Sequence, residues 1–351
     1  MVAAAPIARQ QTPESARPWS ASVLVMPMSG QAPDLNIANT YRAFARLEAR
    51  GRSPQYEALA LAVAEDQMVQ EFLRSLPSGK RQPNLVFAAA RYLLGAAPDI
   101  GSLRMLIVDR QHELAAVVQA RRTQTNEPAR CATLLPALAS LPQPLALLEV
   151  GASAGLTLLA DRFRYDYAGH RITGTDPAAP VLACQPRGSV PLPEQVPVVA
   201  WRAGLDINPL DVTNDDDVRW LQCLLWPGEG HRAECLAAAI AVARRDPPPV
   251  HRGDLISGLP ALAAQAPAAA TLVIYHSAVL AYVDPPRRRQ FADTVRGLDA
   301  VWLSNEGTGV LPHIAMPPHD RGSFVLVRDG TTPVAFTDPH GTWLHGLHGP
   351  A

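Results

Sequence analysis

The sequence predicts an α/β protein: a doubly wound parallel sheet over residues 142–351, preceded by an α-helical N-terminal domain. Three observations point there. Beyond residue 142, apolar runs of strand length alternate with helical stretches, the pattern of β-α-β units. One of these runs, Leu145 to Leu148, passes through Glu149 into a small-residue turn, Gly151-Ala-Ser-Ala-Gly155. Residues 36–141 carry helical periodicity and no strand signal. The chain therefore divides into a segment 1–35, rich in Ala, Pro, Gln and Ser and expected to be disordered, a helical cap domain over 36–141, and the sheet domain over 142–351.

Each element has a local warrant. Tyr41, Phe44, Ala45 and Leu47 recur at helix spacing, as do Leu59, Ala62, Val63, Met68, Phe72 and Leu76. Further helices are expected over Asn84–Leu94, Leu103–Arg121 and Ala129–Leu141. Pro142–Pro144 marks the change of texture. The strands expected after it are Ala146–Val150, Val198–Ile207, Pro249–Gly253, Thr271–Tyr275, Val301–Ser304 and Phe324–Val327. Residues 164–197, with Tyr165, Tyr167 and many turn formers, interrupt the series and read as an inserted hairpin or long loop.

Composition narrows the function. The 351 residues are 48% hydrophobic and 18% charged, enough for a sizeable core. A formal net charge of −1 gives no field that would draw nucleic acid. Lys80 is the single lysine, a mark of genome composition more than of anion recognition. The four cysteines show no C-x-x-C spacing, which fits a reduced, cytoplasmic setting. The apolar stretch Ala21–Met28 is broken by Ser22 and Pro27, and no uninterrupted segment is long enough to span a bilayer, so no membrane partner is expected.

In a doubly wound sheet, ligands sit at the carboxyl ends of the strands. The first strand brings Glu149 and Gly151 there. GLDINP brings Asp206, with Asp166 and Asp176 as rivals nearer in sequence; HRGDLISGLP brings Asp254. A carboxylate at such a place can accept the hydroxyls of a ribose or an adenine amino group. LVIYHS brings Tyr275, His276 and Ser277. Gly151 suits the tight turn and Gly155 a close helix–strand approach. The same turn also reads as G-x-S-x-G, a nucleophile elbow with Ser153 at its tip.

Taken in order, LLEVGASAGL, GLDINP, HRGDLISGLP and LVIYHSAVLAYVDPPRRRQF resemble the successive cofactor motifs of class I S-adenosylmethionine-dependent methyltransferases. From Tyr41 to the C-terminal strands, the chain also resembles the uncharacterised domain-of-unknown-function 2332 family. The resemblance implies a Rossmann-like fold of methyltransferase type and S-adenosylmethionine as cofactor. It implies Glu149, Gly151, Ser153, Gly155, Asp206 and Asp254 as cofactor contacts. Ser153 stands where a glycine is usual, and Asp206 follows Glu149 by more than fifty residues, against about 20 in a nucleotide fold.

Methyl transfer to an unidentified small molecule is thus the expected function. A non-catalytic protein binding S-adenosylmethionine or a nucleoside is the alternative. A serine hydrolase is the third reading, with Ser153, an acid from Asp284 or Asp299, and His313, His319 or His340 as base. For the acceptor, His276 is the candidate base with Tyr275 beside it. Arg110, His112, Asn126 and Glu127 of the cap domain, and Asn305-Glu306 after the fifth strand, are candidate substrate contacts. His340, His345 and His348, with His313 and His319 upstream, match no known metal-ligand spacing, so no metal is expected.

Overall fold

The computed structural model describes residues 37–311, 314, 319–320 and 322–347. Residues 1–36, His313 and His348 lie outside the described residues, and with them the expected N-terminal disorder.

Six helices come first: α1 (Ile37–Phe44), α2 (Pro54–Val63), α3 (Gln67–Ser75), α4 (Pro83–Leu94), α5 (Ile100–Ala120) and α6 (Arg130–Ala139). Their ends follow local chemistry. Pro83 sits in the first turn of α4 and Gly95 closes it at φ +74°; Asp99 and Ser102 form a reciprocal cap at the start of α5. A turn of π-helix, Ala45–Ala49, continues α1.

The strands are β1 (Leu145–Val150), β2 (Arg164–Tyr167), β3 (His170–Ile172), β4 (Val181–Ala183), β5 (Gln185–Arg187), β6 (Val199–Asp206), β7 (Val250–Arg252), β8 (Thr271–Ser277), β9 (Val301–Gly307), β10 (Phe324–Arg328), β11 (Thr332–Thr337) and β12 (Trp343–Gly346). Four later helices are α7 (Asp215–Cys223), α8 (Gly230–Arg245), α9 (Leu259–Ala263) and α10 (Pro285–Arg296). The main sheet runs β5-β12-β11-β10-β9-β8-β1-β6-β7. From β7 to β9 every neighbour is parallel, whereas β10, β11 and β12 form an antiparallel meander. The chain steps outward from β1 through β6 to β7, then returns to place β8 on the other side of β1. That reversal is a topological switch point, where open α/β sheets bind ligands.

Alternation along the strands assigns the two faces. Leu145, Leu147, Val273, Tyr275 and Leu303 pack into one apolar cluster with helices α1–α8. Leu148, Val150, Ile274 and Trp302 pack on the other face with α9 and α10. The helical block and the sheet thus share one continuous core on the first face.

Three sequence expectations change. The turn after β1 does not open a helix of any length. Gly155 sits at φ +73°, a short 3-10 turn follows at Leu156–Leu159, and the chain then enters β2. The segment 164–197 contains the expected hairpin, β2 with β3, but adds β4 to it as a small separate sheet and sends β5 across to pair with β12. Pairing also carries β8 to Ser277 and β9 to Gly307, so Asn305 and Glu306 lie within β9, not after it.

Candidate functional site

A cavity of about 1270 Å³ opens over the carboxyl ends of β1, β6, β7, β8 and β9. Its floor includes Gly151, Ser153, Asp206, Asp254 and Glu306; the helical block supplies a wall that includes Glu48, Arg52 and Arg130. Two tight turns flank the switch point, one after β1 and one after β8.

The β1 turn is held from below and beside. Gly151 (φ +72°), Ser153 (φ +53°) and Gly155 all take left-handed backbone angles. A Cβ on Gly151 would meet the side chain of Val279 at 2.4 Å, so the two turns touch. The Ser153 amide donates to Asp206 Oδ2 (2.8 Å), and the Asn208 amide to Asp206 Oδ1 (2.7 Å). Asn126 brackets the far side: Nδ2 donates to the Ala152 carbonyl (3.3 Å) and Oδ1 accepts from the Leu156 amide (2.9 Å). Ser153 Oγ donates to the Gln124 carbonyl at 3.2 Å.

The β8 turn is held by charge. Glu306 Oε1 accepts from the amides of Val279 (2.8 Å) and Leu280 (3.0 Å) and from His276 Nδ1 (2.7 Å). The Trp302 indole donates to His276 Nε2 (3.1 Å), which fixes the proton of the neutral ring on Nδ1. On the other side of the turn, Arg130 Nη1 donates to the Ser277 carbonyl (3.1 Å) and Nε to that of Pro339 (2.8 Å). Ala278 between them sits at φ +60°.

Several predicted site residues meet here. Asp206 and Asp254 stand on adjacent strand ends at the floor. Asp254 accepts the amides of Ile256 and Ser257 and pairs with Arg287. Burial pushes its carboxyl up, but those amides and the guanidinium together hold it below the usual carboxylate range. Asn126 supports the turn, and Glu306 lines the cavity. Glu127 is buried beside the cavity in a network where Arg232 Nε donates to it at 2.7 Å and His340 Nδ1 lies 3.5 Å away. Burial alone would raise its carboxyl; Arg232 and His340 bring it down to about 2.

Others are elsewhere. His276 does not line the cavity: it is fully buried between Phe291 and Trp302 with both ring nitrogens engaged. It therefore positions Glu306 and does not act as a free base. Tyr275, one residue earlier, points to the opposite face, where its buried hydroxyl has no partner among the described residues. Glu149 lies on that same face. Thr157 donates to Oε1, Oε2 has no partner among the described residues, and burial pushes the carboxyl up to about 8. It sits beneath the turn, so it is no direct rim contact. Asn305 is fully buried, donating to Ser277 Oγ and accepting from Thr337 Oγ1, and ties three strands together. Arg110 pairs with Glu113 at a kink in α5 where its own backbone is non-helical, His112 is exposed beside it, and neither lines the cavity.

The sequence reading missed Arg130 and Glu48. Arg130 follows Asn126 and Glu127 closely enough that a search for charge near an expected helix start would have included it. Glu48 lies on the π-helical turn of the cavity wall, where burial pushes its carboxyl up to about 7 against the opposing pull of Arg52 and Asn84. Nothing local distinguishes it, although π-turns recur at functional sites.

Among the described residues, no cluster of three or more His, Cys, Asp or Glu is placed to hold a metal ion, and no helix is long and apolar enough to cross a membrane. The four cysteines are buried and free. Neither the curated proteins nor the solved structures give a match to this chain. The family described as uncharacterized protein conserved in bacteria (DUF2332) matches residues 38–345, and the chain belongs to that family.

Proposed function

We propose that this protein binds S-adenosylmethionine at the carboxyl ends of β1, β6 and β7 and directs its methyl group to a small-molecule acceptor, on a Rossmann-like sheet of methyltransferase type. The observation that carries this reading is the placement of one cavity at the switch point. It lies above a left-handed glycine turn, with Asp206 and Asp254 on the next two strand ends.

The residues fit such a ligand. A carboxylate has about four lone-pair sites. Asp206 uses two on backbone amides, so it can still accept ribose hydroxyls while holding the turn. Asp254, which also lines the cavity, would serve as acceptor for an adenine amino group. The cavity exceeds the roughly 300–1,000 Å³ of ordinary small-molecule sites, which suits two ligands side by side. When bound, the sulfonium supplies an electrophilic methyl group. The protein's share is then to align the acceptor and exclude water. Glu48, titrating near neutrality on the wall, suits removal of an acceptor proton better than the sealed His276 does. Ser153 Oγ is bonded to a carbonyl oxygen and to no histidine among the described residues, an arrangement that does not favour the hydrolase reading.

Calorimetric titration with S-adenosylhomocysteine tests the proposal. Binding is expected, and ligand at a hundred times its dissociation constant should stabilise the fold by about 2.7 kcal/mol. No heat and no melting shift at millimolar ligand would reject it.

A further inference from the structure

The turn after β8 is gripped by two opposite charges that do not pair with each other. Arg130 is 8% exposed and Glu306 1%. Both line the cavity, and they hold the same turn from its two polar sides: Arg130 takes the Ser277 carbonyl, Glu306 the amides of Val279 and Leu280. Among the described residues no ion pair joins Arg130 to any carboxylate. Glu127, the nearest acid in sequence, is committed to Arg232 and His340. Arg130 bonds only to carbonyl oxygens, through Nε and Nη1, and its Nη2 makes no hydrogen bond among the described residues. On Glu306, Oε1 takes three donors and Oε2 none.

A buried charge with no counter-ion in direct contact is costly, and Arg130 feels Glu127 and Glu306 only through space. Two of opposite sign, anchored so that neither swings to the other, are complementary to a ligand that carries both charges. Carboxylate and ammonium on one tetrahedral carbon meet that description. We propose that Arg130 and Glu306 form a subsite for an α-amino-acid group, with the ligand's carboxylate on Arg130 Nη2 and its ammonium on Glu306 Oε2. The group has two sources: the amino-acid end of the cofactor, which rests on the function proposed above, or a free amino acid, which does not. His276 and Trp302 are positioning residues in this arrangement, because they orient Oε1 and leave Oε2 to the ligand.

The test is calorimetry on the whole chain with three probes: S-adenosylhomocysteine, 5′-methylthioadenosine, which lacks the amino-acid end, and the free L-amino acids. It is run on the wild type, Arg130→Gln and Glu306→Gln. Loss of one charge-assisted bond should weaken binding about 10- to 100-fold. If the cofactor end is the occupant, S-adenosylhomocysteine binds at least tenfold tighter than methylthioadenosine. Each variant then weakens it by that factor and leaves methylthioadenosine unchanged. If a free amino acid is the occupant, the two nucleosides bind alike, or not at all, while an amino acid binds and loses the same factor in both variants. Absence of nucleoside binding in that arm sinks the cofactor reading and keeps the subsite. No amino-acid-bearing ligand dependent on both residues overturns the subsite, whatever the nucleosides do. Should Arg130→Gln fail to fold, decarboxylated and deaminated analogues of the bound ligand on the wild type decide the same question: weakened binding of both supports the subsite, and unchanged affinity refutes it.

Discussion

The turns after β1 and β8 stand side by side at one switch point and are stabilised in opposite ways. The β1 turn is closed on itself: Asp206 uses an oxygen for each of two amides, and Asn126 takes a carbonyl and an amide. The β8 turn is held by Glu306 and Arg130, which each keep a polar atom unspent among the described residues. The same need, satisfying buried backbone groups in a strained loop, leaves one turn electrically quiet and the other charged. Carboxylates at the carboxyl ends of parallel strands are thus not equivalent. What separates them is how the fold distributes its donors: one on each oxygen of Asp206, three on a single oxygen of Glu306.

The largest expected effect is at Glu306. Replacement by Ala removes the acceptor of three donors in a dry site and should cost about 3–5 kcal/mol of unfolding free energy. Gln keeps the acceptor on one oxygen and should cost far less, near 1 kcal/mol. Urea unfolding midpoints measure both, and equal losses would show that charge on the carboxylate, not hydrogen bonding, holds the turn.

Asp206→Ala comes next. It strands the amides of Ser153 and Asn208 and should cost about 2–3 kcal/mol. A change below about 0.5 kcal/mol would mean that the β1 turn stands without its carboxylate.

Glu149 gives a pH signature beneath that turn. Its folded pKa of about 8 lies above its ordinary 4.5. Between those values the folded protein keeps a proton that the unfolded chain has lost. Stability therefore falls as pH rises through that window, by about 1.4 kcal/mol per pH unit, and levels off above it. Glu149→Gln removes this slope, so the variant should gain on the wild type from pH 5 to pH 8. Parallel stability–pH curves would contradict the buried, protonated carboxyl.

The smallest effects separate support from surface. Ser153→Ala keeps the amide bond to Asp206 and should cost less than about 1 kcal/mol, with no fluorophosphonate labelling of the wild type. Arg110→Ala loses only an exposed pair with Glu113 and should stay within about 0.5 kcal/mol. Labelling at Ser153 would reopen the elbow reading of the β1 turn.

Much of the site was legible. Leu145–Glu149, Gly151, Asp206 and Asp254 announce themselves by apolar runs that end in an acid or a glycine, and the sheet brings those ends together. Helices α4, α5 and α6 were readable from spacing and caps. Strand β10 was expected at Phe324–Val327, whereas β11, β12 and the small strands β2–β5 were less legible. These less legible strands are three to six residues long, too short for a period-2 pattern to stand out in the sequence. Their pairing partners, not their own pattern, make them strands.

The sequence by itself determined the periodicities, the small-residue turn at Gly151–Gly155 and the run of acids at successive strand ends, because these depend on neighbours a few residues away. Tertiary structure decided which of those groups face the cavity. Tyr275 and His276 are adjacent, so one enters each face of the sheet, and continued pairing of β8 to Ser277 moves the mouth past both. It also decided that Asp206 takes one donor on each oxygen, from Ser153 and Asn208, while Glu306 keeps a whole oxygen unpartnered among the described residues. Lone pairs are claimed by whatever donors the packed chain brings within about 3 Å, and except for the Asn208 amide those donors come from segments distant in sequence.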